Sequence, residues 1–130
     1  MHDATLYQEI LMDHYRYPRN CGSLSRADFS SGSFNPSCGD SVAFSGLIVA
    51  GILADVKFLG KGCVISQAAA SLLTEQVKHT QLSTIVLMTA NHMQTLIGMQ
   101  LGPTRLRCAL LPLEALHKGI EEYAQSHQSA

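Results

Sequence analysis

The sequence has no tryptophan, its aromatic residues make up only 6% of 130 positions, and nine Lys and Arg stand against ten Asp and Glu for a formal net charge of -1. So few rings offer no platform for stacked bases, and balanced charge leaves no electrostatic footprint for nucleic acid or an anionic membrane. Long apolar runs are missing too. The most apolar stretch, Ser41 to Ala54, is cut by Gly46 and Gly51 and is too short to span the roughly 30 Å of a bilayer core. Residues 79 to 104 carry no Asp, Glu, Lys or Arg, but polar side chains are scattered through them. The opening Met1-His2-Asp3-Ala4-Thr5 lacks the basic and apolar regions of an export signal, so the expected location is cytoplasmic. None of the four cysteines forms a Cys-x-x-Cys pair, which argues against a zinc ribbon, and without export free thiols or metal ligands are expected rather than disulfides. There is no internal repeat or low-complexity segment.

What is present is 46% hydrophobic residues, enough to bury one core, so a single domain over 1–130 is expected. Residues 3 to 16 read as a helix capped by Asp3, with Leu6, Ile10, Tyr7, Leu11 and Tyr15 at spacing four, stopped by Pro18. His14 reads as an ordinary histidine of that amphipathic face. From Arg19 to Ser37 the composition suits loops and at most one short edge strand. Cys21, within this stretch, reads as an incidental thiol. Ser41 to Val49 and Ile52 to Leu59 are strand-like runs joined by Ala50-Gly51, which predicts an antiparallel hairpin.

The hairpin has a chemical consequence. Cys38-Gly39-Asp40 enters one strand and Cys63 follows the other, so residues 25 positions apart in sequence fall at the same end. The set Ile65, Ala68, Ala69, Leu72, Leu73 and Val77 then predicts a helix starting just after Cys63, where unpaired N–H groups stabilise negative sulfur. The small residues at 68 to 71 read as close packing of helix on sheet. Two shorter helices are expected near Gln81–Met88 and His92–Met99, with Met88, Met93 and Met99 as core filler and His79 and His92 as surface or capping residues. Gly102-Pro103 breaks the chain. A last helix, with Cys108, Leu111, Ala115, Leu116, Ile120 and Tyr123 on its core face, is expected to begin close to Leu111, leaving Cys108 at or just before its start; the alternative puts Pro112 one turn in.

Three thiols and Asp40 at the mouths of structural elements suit tetrahedral zinc, or an iron–sulfur cluster with one oxygen ligand. Arg107 cannot ligate, but its charge would stabilise a thiolate at Cys108. Lys61 could act likewise on Cys63, or simply be a solvated lysine on a glycine loop.

Tyr17-Pro18-Arg19-Asn20, Asn35-Pro36-Ser37-Cys38-Gly39-Asp40, Gly60-Lys61-Gly62-Cys63-Val64-Ile65-Ser66 and Arg107-Cys108-Ala109-Leu110 resemble, in order, the motifs of the IscU/SufU family of iron–sulfur cluster assembly proteins, the NifU N-terminal-like family. The resemblance implies an α+β fold, SufE/NifU-like, with a small antiparallel three-stranded sheet and helices packed on one face. It implies that Cys38, Asp40, Cys63 and Cys108 hold the metal or cluster, with Cys108 and Cys38 as candidate persulfide acceptors. It implies a scaffold, not an enzyme, that takes sulfur from a cysteine desulfurase, builds a transient [2Fe-2S] cluster and passes it to apo iron–sulfur proteins. The alternative is a SufU-type sulfurtransferase holding Zn2+ on the same residues. IscU-type proteins carry His where this chain has Arg107, which is similar to the SufU branch. SufU-type proteins in turn carry an insert for which the 45 residues from Cys63 to Cys108 leave no room. Leu101-Gly102-Pro103-Thr104-Arg105 stands where IscU has Leu-Pro-Pro-Val-Lys, the site of Hsp70/Hsp40-type chaperones, so this partner motif is degenerate.

Overall fold

The computed structural model describes residues 4–37 and 39–127. The elements in order are α1 (Ala4–Arg16), β1 (Phe29–Asn35), β2 (Asp40–Val49), β3 (Ile52–Lys61), α2 (Val64–Val77), α3 (Leu82–Ile85), α4 (Ala90–Ile97) and α5 (Pro103–Ser126). The proposed cap Asp3 lies outside the described residues. The strands form one antiparallel sheet in the order β1-β2-β3, an α+β architecture. Ala50 and Gly51 both have positive φ, 52° and 77°, the geometry that closes a two-residue hairpin without splaying its strands. Pairing slips by one residue between Leu47 and Ile48, so Ala54 bulges out of register.

Alternation along the strands sends Phe29, Val42, Phe44, Leu53, Val56 and Phe58 to one face, where they are buried. Helix α5 lies against β1 and β2, while α2 lies against β2 and β3 and carries α1 on its far side. Contact of α5 with β1 is close: the Ser31 hydroxyl donates to the Ala115 carbonyl at 2.7 Å, and a Cβ at Gly119 would come within 2.4 Å of the Phe29 ring. Helix α2 is buried without interruption from Ser66 to Thr74. Its small side chains let three layers meet on one axis.

The other face of the sheet is half covered by the chain itself. Phe58 N–H donates to the Asn20 carbonyl at 2.9 Å and Gly22 N–H to the Phe58 carbonyl at 2.8 Å, which binds residues 20–22 to the β3 edge. Leu24 N–H then donates to the Ser45 hydroxyl at 3.0 Å, and Asp28 N–H to the Gly46 carbonyl at 2.7 Å. Residues 20–28 therefore cross from one edge of the sheet to the other at the level of Ser45. Cys21 is exposed at the β3 edge.

Three expectations need correction. Helix α5 starts at Pro103, not near Leu111, because Pro103 takes the first helical position and Pro112 is accommodated inside the helix as a buried residue. Cys108 therefore sits in the second turn of α5 rather than at its start. Helix α3 is a single turn and α4 begins at Ala90, because Thr89 N–H donates to His92 Nδ1 at 3.0 Å and fixes the entry.

His14 is the third. It is buried, with only 6% of its surface exposed, and its Nδ1 lies 2.8 Å from the Ser71 hydroxyl. That oxygen also accepts the Arg19 N–H at 2.8 Å, and His14 Nε2 stands 3.5 Å from Glu75 Oε1. A neutral imidazole with its proton on Nε2 lets Ser71 donate to Nδ1 and satisfies the set. Ser71 is thus a hydrogen-bonding node between α1, the turn after it and α2, not merely a small packing residue.

Burial pushes the His14 pKa down from its ordinary value, and the nearby Arg19 guanidinium adds to this against the opposing pull of Glu75 and Asp13. The folded chain therefore binds this proton less readily than the unfolded chain, whose histidines titrate near ~6.5. Stability from this group is complete above that pH and is lost as pH falls through it toward the lower folded value. Urea unfolding followed between pH 7.5 and 5.5 is expected to show falling stability, with a shallower slope in His14→Gln; equal slopes would contradict this role.

Candidate metal centre

The hairpin delivers two elements of the site to one point. Asp40 is the first residue of β2, paired with Asn35 of β1, and its side chain is fully buried. Before it the chain turns, with Gly39 N–H donating to the Asn35 carbonyl at 2.8 Å and Gly39 at φ 71°. Cys38 belongs to this turn in sequence but lies outside the described residues. At the other strand's exit, Cys63 is the N-cap of α2: its Sγ accepts the Ser66 N–H at 3.4 Å, as an N-cap oxygen would. Cys108, buried in α5, completes the group.

One ligand atom from each of Asp40, Cys63 and Cys108 lies within 4.8 Å of the other two. Asp40 Oδ1 accepts the Cys63 N–H at 2.8 Å, and Oδ2 lies 3.4 Å from Cys63 Sγ, which as a thiol donates to it. A carboxylate out of water needs more compensation than the one N–H and one weak S–H that the described residues supply. Two sulfurs and an oxygen at this separation fit a thiophilic divalent ion: zinc bonds of about 2.3 Å to sulfur and about 2.1 Å to oxygen put tetrahedral S and O neighbours about 3.6 Å apart.

Residues around the site went unread in the sequence. Gly62 has φ 136°, and a Cβ there would lie 2.1 Å from Asp40 Oδ1, so only glycine lets the loop pass over the buried carboxylate. Ser66 sits 3.7 Å from Cys63 Sγ, and Gln67 holds Ser66 Oγ at 3.0 Å and the Ser41 carbonyl at 3.3 Å, bracing α2 against β2. The signal for Gly62 was in plain sight as the second glycine of Gly60-Lys61-Gly62; Ser66 and Gln67 could have been found as the first-turn residues following a cysteine cap. Arg107 and Lys61 are exposed. Cys21 is not part of the three-residue group. Among the described residues no helix is long and apolar enough to cross a membrane.

A three-stranded antiparallel sheet backed by helices, with two cysteines and an aspartate converging at its end, defines a small α+β fold with a candidate thiolate–carboxylate metal site. The NifU-like N terminal domain family matches residues 6–130, and this chain belongs to that family. It is 33% identical over 133 residues to the zinc-dependent sulfurtransferase SufU of Bacillus subtilis, covering 89% of this chain and 90% of the relative. It is 34% identical over 119 residues to the iron–sulfur cluster assembly scaffold protein IscU of Aquifex aeolicus, covering 90% of this chain and 75% of the relative. Among solved structures, a protein assigned as an iron–sulfur cluster assembly scaffold for the SUF system of Fervidobacterium islandicum matches with TM-score 0.78 and 26% identity over 92% of this chain and 99% of that one. The N-terminal part of a NifU-like protein from Brucella abortus shares the fold at TM-score 0.77 and 16% identity, over 92% of this chain and 94% of that one. The alignment with SufU is longer than this chain's 130 residues, so that relative carries residues with no counterpart here.

Replacing Gly62 with Ala is expected to destabilise the chain by ~1–3 kcal/mol through strain at positive φ and the clash with Asp40. Chemical denaturation measures it; an unchanged midpoint would refute the role given to Gly62.

Proposed function

We propose that this protein is an iron–sulfur cluster assembly scaffold, with Cys38, Asp40, Cys63 and Cys108 as the ligands of a transient [2Fe-2S] cluster that is its cargo. The observation that carries this is the buried carboxylate of Asp40 within one ligand group with two thiols. Thiolates hold iron firmly and a hard carboxylate less so, so the set combines capture with release. Sulfur would come from a cysteine desulfurase as a persulfide. An acceptor thiolate, Cys108 or Cys38, attacks the outer sulfur, the S–S bond breaks, and the donor cysteine leaves as its thiolate. Two electrons per persulfide sulfur, from ferrous iron and an external thiol reductant, would bring it to sulfide, and the finished cluster would pass to apo iron–sulfur proteins. Hsp70/Hsp40-type chaperones, if used, would meet Leu101-Gly102-Pro103-Thr104-Arg105 at the entrance of α5, where Thr104 and Arg105 are exposed.

A second reading is favoured by one distance. The 3.4 Å between Asp40 Oδ2 and Cys63 Sγ suits a single Zn2+ as in a sulfurtransferase that only accepts persulfide. Against it stand residues of the SufU relative that this chain lacks.

Anaerobic incubation with ferrous iron, L-cysteine, a cysteine desulfurase and a thiol reductant is expected to give a visible-absorbing cluster with a [2Fe-2S] Mössbauer signature. Asp40→Ala is expected to slow its transfer to an apo-acceptor about tenfold, or ~1.4 kcal/mol in barrier. If no cluster forms while the zinc-loaded chain accelerates desulfurase turnover, and Cys38→Ser abolishes that acceleration, the sulfurtransferase reading replaces it.

A further inference from the structure

The outer face of the sheet divides at Ser45. Residues 20–28 cross it at that level, and the half at the metal end is open. Cross-strand register places Gly32, Ala43 and Leu59 in one row and Phe34, Ser41 and Lys61 in the next, one step from the Asn35–Asp40 pair. Small residues at the middle of both rows make a depression of about 720 Å³ between two raised apolar side chains. Phe34 is 60% exposed and Leu59 50% exposed. These are large apolar groups left in water on either side of one depression.

The charge around the depression is of one sign. Lys61 and Lys118 line it, and no Asp or Glu does. Lys118 reaches across from α5 to the Gly32 carbonyl at 3.4 Å, holding its ammonium at the rim. In a chain of net charge -1 this is a local concentration of positive charge. A second copy docking face to face would set lysines against lysines, which disfavours self-association.

Resting on the scaffold reading, we propose that this open half-face docks an acidic acceptor apo-protein, which seats an apolar side chain between Phe34 and Leu59 and carboxylates on Lys61 and Lys118. The position suits acceptance of a cluster. The docked protein lies at the metal end of the sheet, one register step from the Asn35–Asp40 pair and on the face opposite the buried carboxylate, so it would meet the cluster around the end of the sheet, where the ligand that lets go most readily begins the same strand as Ala43.

The test uses the full, cluster-free chain and, as probe, an apo-ferredoxin of the [2Fe-2S] type chosen for its negative surface. Wild type is expected to bind it with an affinity that weakens as salt rises. Lys118→Glu and Leu59→Ser, both at exposed positions, are each expected to weaken binding by at least about tenfold. Their circular dichroism and cluster reconstitution should stay as in wild type, and their transfer to apo-ferredoxin should slow. Equal affinity in all three chains, or no measurable binding by wild type, overturns the proposal. So does self-association that Leu59→Ser abolishes, since the face would then serve a second copy. Binding is read without a cluster, so failed reconstitution with binding and its loss in the variants intact counts against the scaffold reading alone.

Discussion

The hydrogen bond from the Cys63 N–H to Asp40 Oδ1 ties the start of β2 to the start of α2, 23 residues later. The carboxylate and the cysteine cap are set against each other by it. It fixes the helix cap relative to the sheet and turns the carboxylate toward the thiols. A buried carboxylate is costly unless it is hydrogen-bonded, so the fold is under pressure to satisfy it. One oxygen receives a backbone donor; the other faces a thiol of the ligand group. Gly62 is the local condition for this contact, because a side chain there would occupy the carboxylate's own place.

Around that bond the structure is arranged in dependent layers. Cys108 reaches the site because α5 lies close on β1, which requires Gly119 to yield to Phe29 and Ser31. Cys63 reaches it because α2 is pinned on its other side by Ser71, where His14 and the Arg19 backbone converge. The small residues of α2 thus serve two contacts at once: the sheet on one side and a polar clasp on the other.

The hairpin and the helix after Cys63 were legible in the sequence, since each rests on local periodicity or a two-residue turn, whereas β1 was read only as room for at most one short edge strand in a loop-like stretch. So was the meeting of Asp40 with Cys63, which follows from hairpin topology. Less could be read of Cys108. Two prolines nine residues apart, Pro103 and Pro112, each suit a helix start, and only tertiary packing decides that the second is interior. The crossing of residues 20–28 over the sheet was illegible because it is made largely by backbone groups, which carry no residue-specific signal. The clasp at His14 was missed for a related reason: a histidine at a helical period looks amphipathic until the partner 57 positions away is known.

The one-residue slip at Leu47/Ile48 makes the site a matter of arithmetic parity. Side chains alternate between faces, so the count of residues from the hairpin turn back to Asp40 decides on which side of the sheet the carboxylate emerges. The bulge at Ala54 shifts that count between the two strands by one. A single deletion in β2 would send the acid to the outer face and bring Ser41 in, even though every motif remained intact. The connection between the end of α2 and the start of α5 runs through short helices and loops instead, and whole segments can be gained or lost there without changing any parity. Length in this fold is therefore free in one half of the chain and quantised in the other.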